Sequence, residues 1–346
     1  MRGSSRAAPT VSAIPSRELP VCPARPTIRP VNNDISYGLL LPTSGVQLVD
    51  ANAARALVDL AVEVERLGFD SVWAGDSLSR GRIEPLALLS AVASVTERVT
   101  LGTAALLPAF REPVPTAQAL SSLDLLSGGR LVLGVGGGYP GVSEAEFELV
   151  GVDFRTRFRW LDDVVELWRQ LWSAQPPTSF HGRVLQHDWL PAIPAPFRPG
   201  GPPIWLAGAS KPALARTGRH YDGWLPYPPD VADYVSGLDQ IHAAATEAGR
   251  DPASITPALF ATVFIDTDRD RARRIMTGYC EANYRLPVET VAAIQVLITG
   301  TAEEVRAGLA AYVEAGTRHI AIRIGTLEQN LWADQLGQLA RLLLPG

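Results

Sequence analysis

Short apolar runs alternate with amphipathic stretches along this chain from residue 35 to its end. The apolar runs are hydrophobic throughout rather than at every second position, which is typical of parallel strands that are buried on both faces. Eight such runs predict strands at 35–42, 70–75, 99–107, 130–136, 203–208, 223–226, 259–266 and 319–324.

The stretches between these runs have helical spacing. In 51–67, Leu57, Ala61 and Val64 recur on one face, and Gly68 follows as a helix-ending glycine. Comparable patterns predict helices over 85–95, 115–126, 158–172, 212–219, 231–248, 302–315 and 332–343, and one that begins near residue 269.

Eight strand–helix units in one chain predict an α/β fold, a (β/α)8 TIM barrel over 34–346 with insertions at its C-terminal mouth. A doubly wound parallel sheet is the alternative, although it would rarely use eight such strands. Two stretches interrupt the alternation. The proline-rich segment 173–202 contains a hairpin-like sequence, and 279–300 is predicted to be an insertion that lies over the barrel mouth as a lid.

Composition narrows the class of protein. The formal net charge is -5 and the pI is about 5.6, which argues against a nucleic-acid-binding or membrane-surface protein. No apolar run approaches the roughly 20 residues of a membrane span. The two cysteines, Cys22 and Cys280, suggest neither a disulfide framework nor a metal site. We therefore expect a cytoplasmic protein, and we interpret 1–33 as a disordered leader or a cloning remnant.

Functional residues of a barrel collect where its strands end. The predicted strand ends are poor in acids, bases and nucleophiles, with Asp76, Arg111 and Glu144 as the notable charges and no histidine before His181. No cluster has metal-ligand spacing. Loops of this apolar, aromatic and glycine-rich kind favour an enclosed organic cofactor that supplies the reactivity. Trp73 fits barrel packing better than a ligand stack, and Asp76 could instead cap a helix or pair with a nearby arginine.

Two loops could contact a ligand closely. The sequence GASK (208–211) follows a strand and opens a helix, where free backbone N–H groups and the helix dipole favour an anion. It includes Lys211, the only lysine of the chain; a plain turn with a solvated lysine is the alternative. The sequence GGGYPG (136–141) permits close approach of a planar ligand, or forms a flexible loop.

Several stretches together resemble the bacterial luciferase-like monooxygenase superfamily, in its order and mainly over 35–226. They include ERLGFDSVWAGDS (65–77), ERVTLGTAALLP (97–108) and the long stretch at 111–139, with further matches at 151–172, 202–210 and 221–226. The resemblance implies a barrel that binds FMN or the deazaflavin coenzyme F420 at its mouth.

The resemblance also implies roles for particular residues. It places the cofactor phosphate at Gly208, Ala209, Ser210 and Lys211, and a non-proline cis peptide at Ala104–Ala105. The loop of Gly136, Gly137, Gly138 and Tyr139 would lie near the ribityl–phosphate side of the cofactor. Luciferase has a phosphate-binding arginine close to these glycines; none is evident here, so Lys211 is expected to substitute.

One departure concerns mechanism. Many deazaflavin-dependent members have an Asp-His pair where this chain has Asp76 and Ser77. This favours an FMN enzyme, specifically a two-component monooxygenase that uses O2 and reduced FMN from a separate reductase on a small organic substrate. Trp73, Asp76, Arg111 and Tyr139 are the candidate substrate contacts, the first three as catalytic residues. The alternatives are an F420-dependent hydride-transfer enzyme and a non-catalytic flavin-binding protein. The helix over 85–95 is apolar almost all round, so its outer side should also be covered. The resemblance implies dimerisation through this region, and we therefore expect a homodimer.

Overall fold

Eight parallel strands close into a barrel in the computed structural model, which describes residues 35–48 and 51–344. Neighbouring strands pair in the order β1-β2-β3-β4-β7-β8-β9-β11, and β11 returns to β1. The strands are β1 Ser36–Leu40, β2 Ser71–Ala74, β3 Thr100–Leu106, β4 Leu131–Val135, β5 Phe180–His181, β6 Gln186–His187, β7 Ile204–Leu206, β8 Gly223–Trp224, β9 Thr256–Ile265, β10 Leu297–Gly300 and β11 His319–Ile324.

Helices follow the barrel strands and cover them from outside. Their N-termini carry the expected caps: Glu84 accepts from the backbone N–H of Ala87 at the start of α2, and Thr301 and Glu304 form a capping box on α10. The helices are α1 Ala51–Leu67, α2 Pro85–Ala93, α3 Pro113–Leu126, α4 Glu144–Leu149, α5 Arg157–Leu171, α6 Lys211–His220, α7 Val231–Glu247, α8 Arg269–Tyr284, α9 Val288–Ala292, α10 Ala302–Glu314 and α11 Gln329–Leu343.

The predicted barrel and all eight of its strands are confirmed. The hairpin-like sequence forms the antiparallel pair β5–β6. Three short elements were not predicted: the helices α4 and α9, and the strand β10, which pairs in parallel with the last four residues of β9. All three are too short to show a periodicity of their own. The segment 1–33, interpreted above as a leader, lies outside the described residues.

The first residues of the predicted lid form the end of α8, which contacts the barrel. Helix α8 ends against the barrel, where the Arg80 side chain donates to the backbone oxygen of Asn283 and the Arg323 side chain donates to the Tyr284 hydroxyl. Arg80 follows β2 and Arg323 is near the end of β11, so the end of α8 contacts the loop after β2 and the C-terminal end of β11. Movement of this segment stays a prediction.

Trp73 packs inside the barrel. Its side chain has no exposed surface, and its ring centroid lies 5.5 Å from that of Trp205 and 5.3 Å from that of His319. A Cβ on Gly102 would lie 2.0 Å from the Trp73 ring, so this glycine makes room for the indole. This packing supports the alternative that Trp73 fills the barrel interior; its role as a catalytic substrate contact stays a prediction.

His319 lies at the start of β11, at the opposite end of the barrel from the mouth. Its Nε2 is 2.9 Å from Ser71 Oγ, which accepts a hydrogen bond from Trp73 Nε1. Burial among the indole rings lowers the pKa of His319 from 6.5 to about 4.

This histidine makes stability depend on pH. In the unfolded chain it gains a proton below about pH 6.5, whereas in the folded protein it stays neutral until about pH 4, so its contribution is complete above pH 6.5 and is lost as the pH falls toward 4. We expect the wild type to lose about 2 kcal/mol of unfolding free energy between pH 7 and pH 5 from this group. Urea titrations should show a smaller loss for His319→Gln, while His181→Gln, at an exposed histidine, should keep the wild-type loss. Equal losses in all three proteins would contradict this account.

The described residues contain neither a helix long and apolar enough to cross a membrane nor a group of three His, Cys, Asp or Glu side chains that could hold a metal ion.

Candidate active site at the barrel mouth

Asp76 and Arg111, predicted separately as catalytic residues, form one ion pair. Arg111 Nη1 donates to Asp76 Oδ2 at 2.6 Å and Nη2 donates to Oδ1 at 3.2 Å. The second nitrogen also donates to Glu84 Oε1 at 2.6 Å. The side chain of Asp76 is 4% exposed and that of Arg111 is 17% exposed. Because the Arg111 guanidinium already binds the carboxylates of Asp76 and Glu84, Asp76 and Arg111 are partners of each other in this structure.

The same carboxylate supports the end of β3. Asp76 Oδ2 accepts from the backbone N–H of Leu107 at 3.0 Å. The register between β3 and β4 shifts between Thr103 and Leu106, and the peptide bond between Ala104 and Ala105 within this bulge is cis, as predicted. Asp76 thus connects the loop after β2 to the bulge of β3.

Ser77 is bonded to a buried glutamate that the sequence analysis did not identify. Glu146, on α4, is 4% exposed. Its Oε1 accepts from Ser77 Oγ at 2.5 Å and from the backbone N–H and the hydroxyl of Ser79, each at 2.8 Å. Burial acts to raise the pKa of this carboxyl, but the hydrogen bonds from Ser77 and Ser79 outweigh it and lower the pKa below its usual value. Glu146 is therefore ionised at neutral pH. Glu146 therefore holds the loop that carries Ser77 and Ser79.

Small residues line the mouth beside the bulge. A Cβ on Gly136 would lie 3.5 Å from the Cβ of Ala105 and 3.9 Å from that of Ala207, so β3, β4 and β7 present small residues around one point. Gly138 has a φ of 77°, in the left-handed region that favours glycine. Tyr139 follows it and is 40% exposed. These small residues suit the close approach of a planar ligand.

The residues Gly208–Lys211 have the geometry of an anion site. Gly208 has a φ of 110°, and its carbonyl accepts from Trp224 Nε1 at 2.8 Å. Ser210 is the N-cap of α6, but its hydroxyl makes no capping bond. Ala209, Ser210 and Lys211 are exposed, and within the described chain Lys211 forms no ion pair. The hydroxyl, the ammonium and the first N–H groups of α6 are thus free to bind an anion.

An arginine does lie close to the glycine loop, contrary to the sequence analysis. A Cβ on Gly137 would lie 2.8 Å from the Phe158 ring, and the Arg157 guanidinium lies 4.7 Å from the centre of that ring. Arg157 Nε is buried and has no hydrogen-bond partner. A second guanidinium, of Arg216, lies 5.0 Å from the same ring but is paired with Asp162. Arg157 was missed because 20 residues separate it from the loop that it approaches.

Aromatic side chains surround the mouth. The Tyr227 ring lies edge to face with Phe260, with centroids 6.4 Å apart. Burial, followed by the proximity of Tyr284 and Tyr139, raises the pKa of Tyr227 to about 12. Its phenol is therefore protonated at neutral pH and is available as a hydrogen-bond donor.

Comparison with known proteins identifies the family of this site. Residues 36–319 match the family model described as luciferase-like monooxygenase. An F420-dependent hydroxymycolic acid dehydrogenase of Mycobacterium tuberculosis is 34% identical over 225 residues, which cover 62% of this chain and 61% of that protein. An F420-dependent glucose-6-phosphate dehydrogenase of Nakamurella multipartita is 35% identical over 226 residues, covering 62% of this chain and 65% of that one.

A solved structure has the same fold. The oxygenating constituent of 3,6-diketocamphane monooxygenase from Pseudomonas putida, in complex with FMN, superposes with a TM-score of 0.74 at 19% identity, covering 90% of this chain and 98% of that chain. The match to the two curated relatives spans only 61% and 65% of their lengths.

Proposed function

Because this chain belongs to the luciferase-like monooxygenase family and is an oxidoreductase, we propose that it is an F420-dependent enzyme that transfers a hydride to or from a small organic substrate. The observation that carries the proposal is that curated relatives at 34% and 35% identity are named F420-dependent dehydrogenases. Since the chain matches less than two thirds of their lengths, their own substrates are not transferred to it. This order reverses the one favoured by the sequence alone, which placed FMN first.

The residues at the mouth fit a phosphate-bearing deazaflavin. The free hydroxyl of Ser210, the unpaired Lys211 and the N-terminus of α6 would hold the phosphate. The small residues around Gly136 leave room beside the Ala104–Ala105 bulge for the planar ring. Arg157, whose Nε has no partner, is a further cation on the side of the glycine loop.

Hydride transfer needs little acid–base chemistry from the protein. When bound, the reduced deazaflavin would supply a hydride to an electrophilic carbon. The protein would hold the substrate against the ring, exclude water and donate hydrogen bonds to the oxygen that gains charge. Tyr227 and Tyr139 are the candidate donors, and the raised pKa of Tyr227 keeps its proton on the phenol.

An FMN-dependent monooxygenase is the second candidate. Ser77 favours it, because the family's histidine is absent and Glu146 has taken up the serine hydroxyl. The FMN-bound structural relative has the same fold. This function would need O2 and reduced FMN from a separate reductase. The cytoplasmic location and the homodimer remain proposals; Ala87 and Ala91 on the exposed side of α2 suit close packing of a second copy.

A binding comparison separates the two candidates. We expect the protein to bind reduced F420 at least tenfold more tightly than reduced FMN, and Lys211→Ala to weaken F420 about tenfold while leaving its phosphate-free deazaflavin fragment unchanged. Anaerobic fluorescence titration measures both. Arg219→Ala is the matched control, because it removes an exposed cation from the other end of α6.

Two results would count against the proposal. Tighter binding of FMN, together with turnover that requires O2, would select the monooxygenase. If Lys211→Ala weakened the phosphate-free fragment as much as intact F420, the phosphate would lie elsewhere.

A further inference from the structure

Three arginines meet at the barrel mouth without an acidic partner. Arg80 and Arg82 follow β2, and Arg323 is near the end of β11. Their hydrogen bonds go to neutral groups: Arg82 Nη1 donates to Thr43 Oγ1 at 3.0 Å, Arg80 to a backbone carbonyl and Arg323 to a tyrosine hydroxyl. None of the three forms an ion pair with another described residue. Arg111, in contrast, is bonded to two carboxylates.

Two of these arginines lie beside each other, and their surroundings act on them differently. Burial acts to lower the pKa of Arg323, but the hydroxyls of Tyr279 and Tyr284 raise it overall. Burial, followed by repulsion from Arg323, lowers the pKa of Arg82 to about 10. Charged groups that are removed from water are ordinarily paired, because the attraction of a partner offsets the cost of desolvation. The last turn of α8, which Arg80 and Arg323 contact, carries Asn283. The amide oxygen and nitrogen of Asn283 are buried without a hydrogen-bond partner among the described residues.

The cluster lies next to the proposed cofactor ring. A Cβ on Gly75 would lie 3.3 Å from Arg82 Nη1 and 3.5 Å from the carbonyl oxygen of Ala104, so the guanidinium is beside the bulge. The Arg323 guanidinium lies 4.4 Å from the centre of the Phe260 ring. Arg82 and Arg323 thus lie between the bulge of β3 and the aromatic rings of Phe260 and Tyr284.

We propose that Arg82 and Arg323 bind the carboxylate of an organic acid substrate with an aromatic or apolar body. The inference rests on the proposed function, whose substrate class it names. Guanidinium groups bind planar carboxylates through paired hydrogen bonds, and the rings of Phe260 and Tyr227 would pack against the body of the acid. A bound acid would neutralise charge that the described part of the chain leaves unpaired.

The experiment is a titration of cofactor-free protein with three probes of the same size class. We expect phenylacetate to bind at least tenfold more tightly than its neutral isostere phenylacetamide, with an affinity that decreases as NaCl is added. Arg82→Met and Arg323→Met should each lose tenfold or more of the affinity for the acid and none of that for the amide. Arg306→Met, at an exposed arginine on α10, should retain the wild-type preference. Phenyl phosphate is the third probe.

Thermal unfolding of the ligand-free variants is the second measurement. Replacing an unpaired buried charge by methionine should leave the midpoint unchanged or raise it, whereas an arginine retained only for structure would lower it by several degrees. Equal binding of acid and amide, absence of saturable binding of the acid, or a lowered midpoint with unchanged preference would each overturn the proposal. Preference for phenyl phosphate would overturn the assignment to carboxylates. Because no cofactor is present, these outcomes are independent of whether the protein binds F420.

Discussion

Asp76→Asn is expected to lower the free energy of unfolding by about 2–3 kcal/mol and to weaken cofactor binding at least tenfold. The asparagine keeps the size of the side chain but removes the charge that faces Arg111 across 2.6 Å in a site where Asp76 is 4% exposed. Removing one partner of a buried pair is costly because the other charge stays desolvated. The remaining bond from Arg111 to Glu84 keeps the loss at the lower end of the usual range.

Asp76→Asn should weaken cofactor binding as well as stability, because the Asp76 carboxylate also accepts a hydrogen bond from the backbone N–H of Leu107. That bond fixes the end of β3 directly after the bulge on which the ring is proposed to rest. Asp76 is therefore a positioning residue, and its effect on the reaction would pass through the shape of the strand end.

Urea unfolding and cofactor titration on the same preparations test this account. Glu84→Gln is the matched control: it removes a carboxylate from the same guanidinium, but one that is 47% exposed, and should cost less than about 1 kcal/mol. A double-mutant cycle with Arg111→Gln should return a coupling energy of at least about 1 kcal/mol. If Asp76→Asn had wild-type stability and affinity but lost turnover, Asp76 would be a catalytic residue, as the sequence first suggested.

The barrel was predictable from sequence because each strand carries its own signal. The run 131–135 is apolar throughout and begins just after Gly128, Gly129 and Arg130, so its start depends on a few neighbouring residues. The chain positions of the strand ends then indicated which loops form the mouth. For the same reason the GASK loop could be recognised from a turn and a helix start in consecutive residues.

The partners within the site could not be predicted in this way. Arg111 lies 35 residues after Asp76, and Glu146 lies 69 residues after Ser77. In each case the two residues meet only because the strands that precede them end at the same rim of the barrel. Arg82 and Arg323 meet because the last strand pairs with the first. Nothing local distinguishes an unpaired buried arginine from a surface one, so the sequence suggested a nearby arginine for Asp76 and left the cation cluster unnoticed.

Replacement by alanine should affect stability very differently at two glycines, Gly134 in β4 and Gly136 in the loop after it. This is the second large effect that we expect. In Gly134→Ala the new Cβ would lie 2.1 Å from the backbone oxygen of Thr103, an atom that β3 cannot move without breaking its pairing with β4. In Gly136→Ala the nearest atoms would be 3.5 Å away, an ordinary contact distance. We expect Gly134→Ala to lose about 3 kcal/mol of stability or more, and Gly136→Ala to stay within about 1 kcal/mol of the wild type.

Ligand binding should distinguish them as well. The added methyl of Gly136→Ala would occupy the space between Ala105 and Ala207 that is proposed for the cofactor, so affinity for F420 should fall about tenfold although the fold is intact. Circular dichroism, urea unfolding and anaerobic titration measure the three properties. Gly141→Ala, in the same loop but with no atom within 4 Å of the added Cβ, is the control for binding; its φ of 78° means that any loss there comes from the backbone. If Gly136→Ala bound F420 with unchanged affinity, the cofactor ring would lie away from Gly136, because a ring packed against this residue could not accept an added methyl group without a loss of affinity.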